Sequence, residues 1–466
     1  MRGIDRGQTP NSRVKVRAHQ AGSGVRGLTP IFVVFLLAAV VPASEAKGQS
    51  SGSTDPVVTP GNGLRDRIRE LFSFGTCGRP LCLDNSVNAT NGHGDHFIPD
   101  IAANNGAILA FLTDAIAASA ANLPLSATTS GVTFRFVGGL PVKTSSSLGP
   151  IFGERAQVLG KGRFVVGANM SALNFTSLRG VPLNQIVLNF THDDVPPEGL
   201  GQPLRENDIL QVRLDLSVNL LVTTFFTTWG ISDKVDVGLA VPIVHTGLTG
   251  RSTGQFFPFG IPTSHFFAGD SANPVLSATA ATFGFSTGVG DIALRSKWRV
   301  YDGERSGFAV MADARLPTGS DEDLTGAGNY SVRGLLLASA RLGDFAPHLN
   351  IGYALRGGRN DAVLATGGFD QPLSDWATIA VDLITEWQVG ESSLSLPNDV
   401  LIQFPVERHV TPTNIPNIKD HLVNGSFGVK FRTPGGPIVV ANALMPMRRG
   451  GLESRFIWTL GIDGNF

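Results

Sequence analysis

From about residue 128 onward the chain alternates apolar and polar positions with a period of two, the spacing that gives an extended strand one greasy face and one wet face. In ILQVRLDLSVNL, Leu210, Val212, Leu214, Leu216, Val218 and Leu220 alternate with Gln211, Arg213, Asp215, Ser217 and Asn219. DIALRSKWRVY repeats the arrangement, with Ile292, Leu294, Trp298 and Val300 opposed by Asp291, Arg295, Lys297 and Arg299. GFAVMADARL, HLNIGYALR, ATIAVDLITEW and FGVKFR follow suit, and the final stretch sets Trp458, Leu460, Ile462 and Phe466 against Thr459, Asp463 and Asn465. These runs reach about 10–12 residues, enough to cross a bilayer at a tilt, whereas soluble strands average about 5–6.

Period and turn signals predict about fourteen strands (12–14), near residues 131–138, 160–176, 183–191, 208–229, 234–246, 288–301, 306–317, 330–342, 346–357, 361–370, 376–388, 419–432, 436–446 and 451–464. Every second connection is short: SLRGVP, GISDK, YDGERSG, GDFAP, QPLSD and RTPGG. The others include long segments around GRSTGQFFPFGIPTSHFF and PNDVLIQFPVERHVTPTNIPNIK and the acidic PTGSDEDLTGAGN, although GGRND and PMRRGG are short. An even strand count with alternating loop length is the pattern of a transmembrane antiparallel β-barrel, short turns in the periplasm and long loops outside. Closure is obligatory, since an open edge in hydrocarbon leaves backbone groups unsatisfied. The expected class is therefore all-β, with residues 128–466 as the barrel.

Ahead of the barrel the period changes. LRDRIRELFSF places Leu64, Ile68, Leu71 and Phe72 at helical spacing, and PDIAANNGAILAFLTDAIAASAANLP starts on Pro99 and Asp100 and carries Ile101, Ile108, Leu112 and Ile116 as one stripe. Residues 63–127 are thus expected to form a short helical, plug-like segment, preceded by a Ser/Gly/Pro-rich linker over 47–62. Residues 1–46 join a basic stretch to the apolar LTPIFVVFLLAAVVPASEA and read as a signal peptide cleaved after Ala46. A retained anchor is the rival, disfavoured because Pro30 and Pro42 bracket a core short for a span. Export makes Cys77 and Cys82 in CGRPLC a small-loop disulfide, the alternative being a metal pair completed by His93 and His96.

Composition narrows the function. The chain is 42% hydrophobic and 16% charged with a formal net charge of −1, so it carries no basic excess for a nucleic acid. Beyond the N-terminus no run of about 18 uncharged apolar residues exists to build a helical membrane bundle. Histidines are scattered, and no GxSxG, HExxH or phosphate loop occurs, so no enzyme, cofactor or metal is expected. Asp321, Glu322 and Asp323 in SDEDLTG read as solvated loop charge, without EF-hand spacing.

The polar register nominates Arg213, Asp215, Arg295, Lys297, Arg299, Asp313, Arg315, Asp382 and Lys430 as the lumen path, with Arg333, Arg356 and Glu386 on the same register. They are either a ladder of mutually neutralising pairs or an anion-preferring conduit. Phe256, Phe257, Phe259, Phe266 and Phe267 crowd one external loop, as a mouth for apolar molecules or as loop self-packing. Phe466 falls on the lipid-facing register of the last strand, at the level of an interfacial aromatic girdle.

Several segments carry a resemblance: SLGPIFGERAQVLGKGRFVVGANMSALNF, TTWGISDKVDVGLAVPIV, GVGDIALRSKWRVYDGERSGFAVMADARLPTG, PHLNIGYALRGG and HLVNGSFGVKF. Together they resemble the outer-membrane transporter family named for the MetA pathway of phenol degradation and, more distantly, the fatty-acid and aromatic-hydrocarbon channels of Gram-negative bacteria. The resemblance spans roughly residues 128–466 and implies an outer-membrane channel for passive uptake of small hydrophobic or aromatic compounds. It also implies a terminal aromatic, Phe466, read by the barrel-assembly machinery, and a wall bathed in outer-membrane lipid and lipopolysaccharide. The alternative is a structural or adhesive barrel with a closed lumen and partner-binding external loops.

Overall fold

Antiparallel pairing runs unbroken around a ring of twelve strands in the computed structural model, which describes residues 63–72, 74, 99–122, 134–137, 140–143, 147–192, 194, 199–201, 206–260, 265–270 and 272–466. In chain order these are β1 (Phe164–Leu178), β2 (Ile209–Gly230), β3 (Val235–Phe257), β4 (Ala293–Asp302), β5 (Ser306–Arg315), β6 (Ser331–Ala340), β7 (Ala346–Arg356), β8 (Ala362–Ser374), β9 (Ala377–Gln388), β10 (Leu422–Arg432), β11 (Ile438–Pro446) and β12 (Leu452–Asn465). Each pairs with the next, and β12 returns to β1 with Leu460 opposite Met170. The seam extends to the last residue: Phe466 donates its N–H to the Phe164 carbonyl at 2.8 Å, accepts from the Phe164 N–H at 3.0 Å, and stacks on its ring at 5.2 Å.

Fourteen strands are thus corrected to twelve. The segment near 131–138 is Phe134–Val137, which pairs with Leu140–Lys143 in a sheet of its own, and the segment near 183–191 is Ile186–Phe190, which lies against β2 outside the ring. Alternation identifies a strand but not its neighbour.

The outer face is greasy all round: Leu239, Leu294, Val300, Leu336, Ile351, Leu383, Phe427, Leu460 and Ile462 are exposed on it. Aromatic rings bound this belt, with Trp229, Trp298, Trp376, Phe431 and Phe466 towards one end and Phe285 and Trp387 towards the other. Along β9, Trp376 to Trp387 spans about 25 Å at the usual strand rise and tilt, the height of a membrane barrel's apolar band. A barrel with this exterior is built to span a bilayer. The connections 231–234, 303–305, 341–345, 375–376 and 433–437 at the Trp376 end are short, while 179–208, 258–292, 316–330 and 389–421 at the other are long. By the pattern of outer-membrane barrels the long-loop end is the external one.

β2 and β3 hold 22 and 23 residues, about twice what a crossing needs. Their external halves, flanked on β3 by Ser277–Val289, rise above the belt as a three-stranded wall, and there the polarity of the two faces inverts. Leu210, Val212, Leu214, Leu216, Val218 and Leu220, expected to face lipid, are buried on the inner face. Arg213, Asp215, Ser217 and Asn219 stand exposed on the outer one. The reason is the change of solvent: above the hydrocarbon the outside is water and the inside is a protein core. Lower on β2 the membrane polarity returns, with Phe225 and Trp229 outward and Thr224 and Thr228 buried.

Helices supply that core. α1 (Leu64–Glu70) buries Leu64 and Ile68, with Leu71 and Phe72 after it, as the spacing predicts. It seats on bare backbone: a Cβ on Gly250 would lie 2.8 Å from Leu71, and one on Gly284 2.8 Å from Leu64. α2 (Pro99–Asn122) adds Ile108, Leu112 and Ile116 to the cluster that holds Leu173, Phe190 and Leu248, and its Asp114 accepts from Arg65 of α1 at 2.6 Å. The expected signal peptide, the 47–62 linker, Cys77, Cys82, His93 and His96 lie outside the described residues.

Candidate functional site

Residues 147–159, SLGPIFGERAQVL, have no period and form no strand; they thread the short-turn half of the ring as an extended strap. Their backbone donors find inward-facing side chains in place of ladder partners. Leu148 N–H donates to Thr378 Oγ1 at 3.0 Å, Glu154 N–H to Asn350 Oδ1 at 2.7 Å, Ala156 N–H to Ser339 Oγ at 3.1 Å, and Leu159 N–H to both Asp236 oxygens at 3.0 and 3.1 Å. Gly153 is required where the strap passes His348, since a Cβ there would collide with the His348 ring and sit 2.9 Å from Asp382 Oδ1.

Charges finish the attachment. Lys297 Nζ donates to Glu154 Oε2 at 3.0 Å and to the Arg155 carbonyl at 3.3 Å, and Arg295 approaches Glu154 at 3.7 Å. Arg155 pairs with Asp370, which also accepts from the Ser147 hydroxyl. His348 Nε2 meets Asp382 Oδ1 at 2.6 Å. Arg295 also donates to Asp313 at 2.9 Å, Arg315 approaches Asp313 at 3.4 Å, and Arg315 donates to the Ala121 carbonyl at the end of α2, where a helix dipole favours a cation. An unpaired ion here would cost several kcal/mol in lost hydration, so mutual pairing decides where strap and helix rest.

Of the expected lumen set, Arg295, Lys297, Asp313, Arg315, Asp382 and Lys430 do face the interior, and all but the half-buried Arg295 are fully buried. Arg299 sits at the short-turn rim, 3.2 Å from Asp302. Arg213 and Asp215 are corrected: they are on the outer surface of the β2–β3 wall, not in the lumen. Pattern reading missed Glu154, Arg155, Asp236 and Asp370, and gave His348 no role. The one signal available was a pair of charges, GERA, in an aperiodic segment just ahead of the first long strand.

The external phenylalanines divide. Phe256 and Phe267 are buried with rings 4.8 Å apart, and Phe74 lies 5.4 Å from Phe267. Phe266 is half-buried, whereas Phe257 and Phe259 are 48% and 42% exposed, the latter beneath Arg408. Arg179, fully buried, clamps the 389–421 loop by donating to both Asp420 oxygens at 2.7 and 2.9 Å and to Ser392 at 2.6 Å, its guanidinium 5.4 Å from the Phe111 ring of α2. Asp321 of the acidic loop is 3.5 Å from Arg65, and among the described residues no three His, Cys, Asp or Glu side chains are grouped to hold a metal.

Above the strap the inner surface turns apolar. There, between α2 and the external ends of β1, β7 and β9–β12, lies a cavity of about 140 Å³ whose lining includes Leu173, Phe175, Leu444 and Ile457 on one side and Arg356, Arg359 and Glu386 on the other.

No protein-family model matches the chain, and no curated protein does. Among solved structures it is similar to an outer-membrane channel from Pseudomonas putida F1, at 12% identity and a TM-score of 0.39, over 67% of this chain and 98% of that one. A fatty-acid channel (FadL) homologue from Pseudomonas aeruginosa matches at 10% identity and 0.29, over 65% and 90%. The TodX monoaromatic hydrocarbon channel, in a mutant form, matches at 9% and 0.32, over 65% and 90%.

Proposed function

We propose that this chain is an outer-membrane channel for passive uptake of small hydrophobic or aromatic molecules, held closed in this conformation by the strap and the end of α2. The observation that supports it is the division of the lumen: a chamber on the external side, apolar along Leu173, Phe175, Leu444 and Ile457 and charged at Arg356, Arg359 and Glu386, stands over a polar half closed only by non-covalent contacts. A barrel needed solely as a scaffold has no use for a chamber, and a permanent seal would be built from the wall itself. The exposed Phe257 and Phe259 fit a collecting surface at the mouth. Export through a signal peptide cleaved after Ala46, oxidation of Cys77 with Cys82, and delivery to the assembly machinery by way of Phe466 complete the reading.

The test is flux into proteoliposomes. The purified chain should admit an apolar aromatic such as toluene faster than a sugar of similar size, and faster still when residues 147–159 are replaced by a Gly/Ser stretch of equal length. The filled short-turn half favours one rival, a closed scaffold with partner-binding loops. Equal, background-level flux of both solutes with and without the strap would establish that rival instead.

A further inference from the structure

On the outer surface, at the external edge of the greasy belt, the chain gathers cations over exposed aromatic rings. Trp387 of β9 is exposed, and the Arg448 guanidinium, from the turn between β11 and β12, lies 5.4 Å from its ring centroid. His421, just ahead of β10, packs on the same ring at 5.0 Å. On β12 the Arg455 guanidinium stands 5.9 Å from the Phe456 ring, which stacks on the exposed Trp458. β9 to β12 are consecutive in the ring, so these groups share one stretch of outer wall.

Positive charge is in excess on it. The charged groups that act on His421 are Arg448, Lys419 and, last, Asp420; burial and the two cations hold its pKa below the ordinary value. Asp420 is turned away to Arg179, from which it accepts two hydrogen bonds, and to the Gly451 N–H at 3.0 Å. Glu453, the next acid along, accepts from Gly450 and Ser177 and lies beside Arg449. Lys419, Arg448 and Arg455 are exposed and make no ion pair among the described residues.

Two solvents meet at this height. Water satisfies the cations but gains nothing from Trp387, Trp458 and the exposed Met447 directly below them. A lipid of the external leaflet presents an anionic head above and acyl chains beneath, so charge and grease are matched by one molecule. Phosphate oxygens suit the forked donors of the two arginines.

We propose that Lys419, Arg448 and Arg455 form a lateral site for the phosphorylated headgroup of an external-leaflet lipid, whose acyl chains run down past Trp387, Met447 and Trp458. The site is independent of whether the lumen conducts.

The experiment is native mass spectrometry of the full-length folded protein in detergent, with EDTA present so that no divalent cation bridges phosphates. The probes are bisphosphorylated lipid A, monophosphorylated lipid A and zwitterionic phosphatidylethanolamine. Bisphosphorylated lipid A should bind tightest, the monophosphorylated form more weakly, and phosphatidylethanolamine no better than background. Lys419→Gln/Arg448→Gln should weaken lipid A about 30-fold, roughly fivefold for each cation near a lipid surface. Lys161→Gln/Arg305→Gln, which removes two exposed cations at the short-turn end, should leave binding unchanged. Folding of each variant is checked by heat-modifiable gel mobility. Lipid A bound equally by Lys419→Gln/Arg448→Gln and the parent overturns the site, and equal losses in the two double variants reduce it to overall charge. Free pyrophosphate that displaces lipid A as well as lipid A displaces itself overturns the lipid as occupant.

Discussion

Replacing Glu154 by Gln keeps the shape of the strap and deletes the charge that Lys297 and Arg295 face at 3.0 and 3.7 Å. Lys297 is only 1% exposed, so in the closed state it would remain desolvated without the carboxylate it donates to, left with its cross-strand neighbour Asp236, whose oxygens already accept from the Leu159 N–H. Breaking a buried pair in this way costs about 3–5 kcal/mol. The amide oxygen of Gln still accepts a hydrogen bond from Nζ, which places the cost near the lower end, about 3 kcal/mol. Once the strap leaves, water fills the lumen and solvates Lys297, so the cost falls on the closed state alone. At about 1.4 kcal/mol per tenfold, the ratio of open to closed forms should rise by about two powers of ten. Open probability in planar bilayers at fixed voltage reads this directly. The double variant Glu154→Gln/Lys297→Met has no orphaned cation and should return close to the parent value. A Glu154→Gln barrel that folds normally and stays as silent as the parent would refute the reasoning, as would a double variant that opens as widely as the single one.

Gly153→Ala pushes a methyl group into the His348 ring and to within 2.9 Å of Asp382. That overpacking of about 1–3 kcal/mol should speed hydrogen exchange at the Glu154 and Leu159 amides, and unchanged protection would count against the fit described. Arg179→Ala strands Asp420 and frees the 389–421 loop at a cost of about 3–5 kcal/mol; trypsin should then cut at Arg408 and Lys419 faster than in the parent, and equal rates would refute the clamp. His421 accepts the Gln388 N–H on Nδ1 at 3.1 Å, and burial, Arg448 and Lys419 hold its pKa below the ordinary 6.5. Because the folded value is the lower one, this contact stabilises fully above pH 6.5 and is lost as pH falls through the folded pKa. Exchange protection of the Gln388 amide should therefore drop on acidification, and a flat pH profile would refute the assignment.

Period two was legible wherever a strand crosses the membrane, because lipid on one side and a polar interior on the other leave no other pattern. Trp458, Leu460 and Ile462 against Thr459 and Asp463 came out on the expected faces. The same rule failed on Leu210–Leu220, where the strand outlasts the bilayer and both solvents change. The switch was nonetheless written in the chain: odd positions on β2 run polar from Gln211 to Asn219 and apolar at Phe225 and Trp229. The strap was not legible. Its partners lie on β3, β4, β6, β7, β8 and β9, Glu154 finding Lys297 across 143 residues, and no local period reports contacts of that range. Six of the nine nominated lumen charges face the interior, and what holds them there is nothing the pattern could supply: Arg295 and Lys297 meet Glu154, and Arg315 meets the end of α2.

The seam between Phe164 and Phe466 closes a hoop whose own leader already runs through its centre. A hoop zipped shut first would strand the Glu154–Arg155 stretch outside, with either a sheath of acyl chains or a finished wall in the way. Tucking must therefore precede or accompany sealing, and the first and last strands should be the final pair to meet during biogenesis. Since the strap continues covalently into the ring only at its β1 end and is held elsewhere by hydrogen bonds and ion pairs, it can be drawn back without unzipping a single rung.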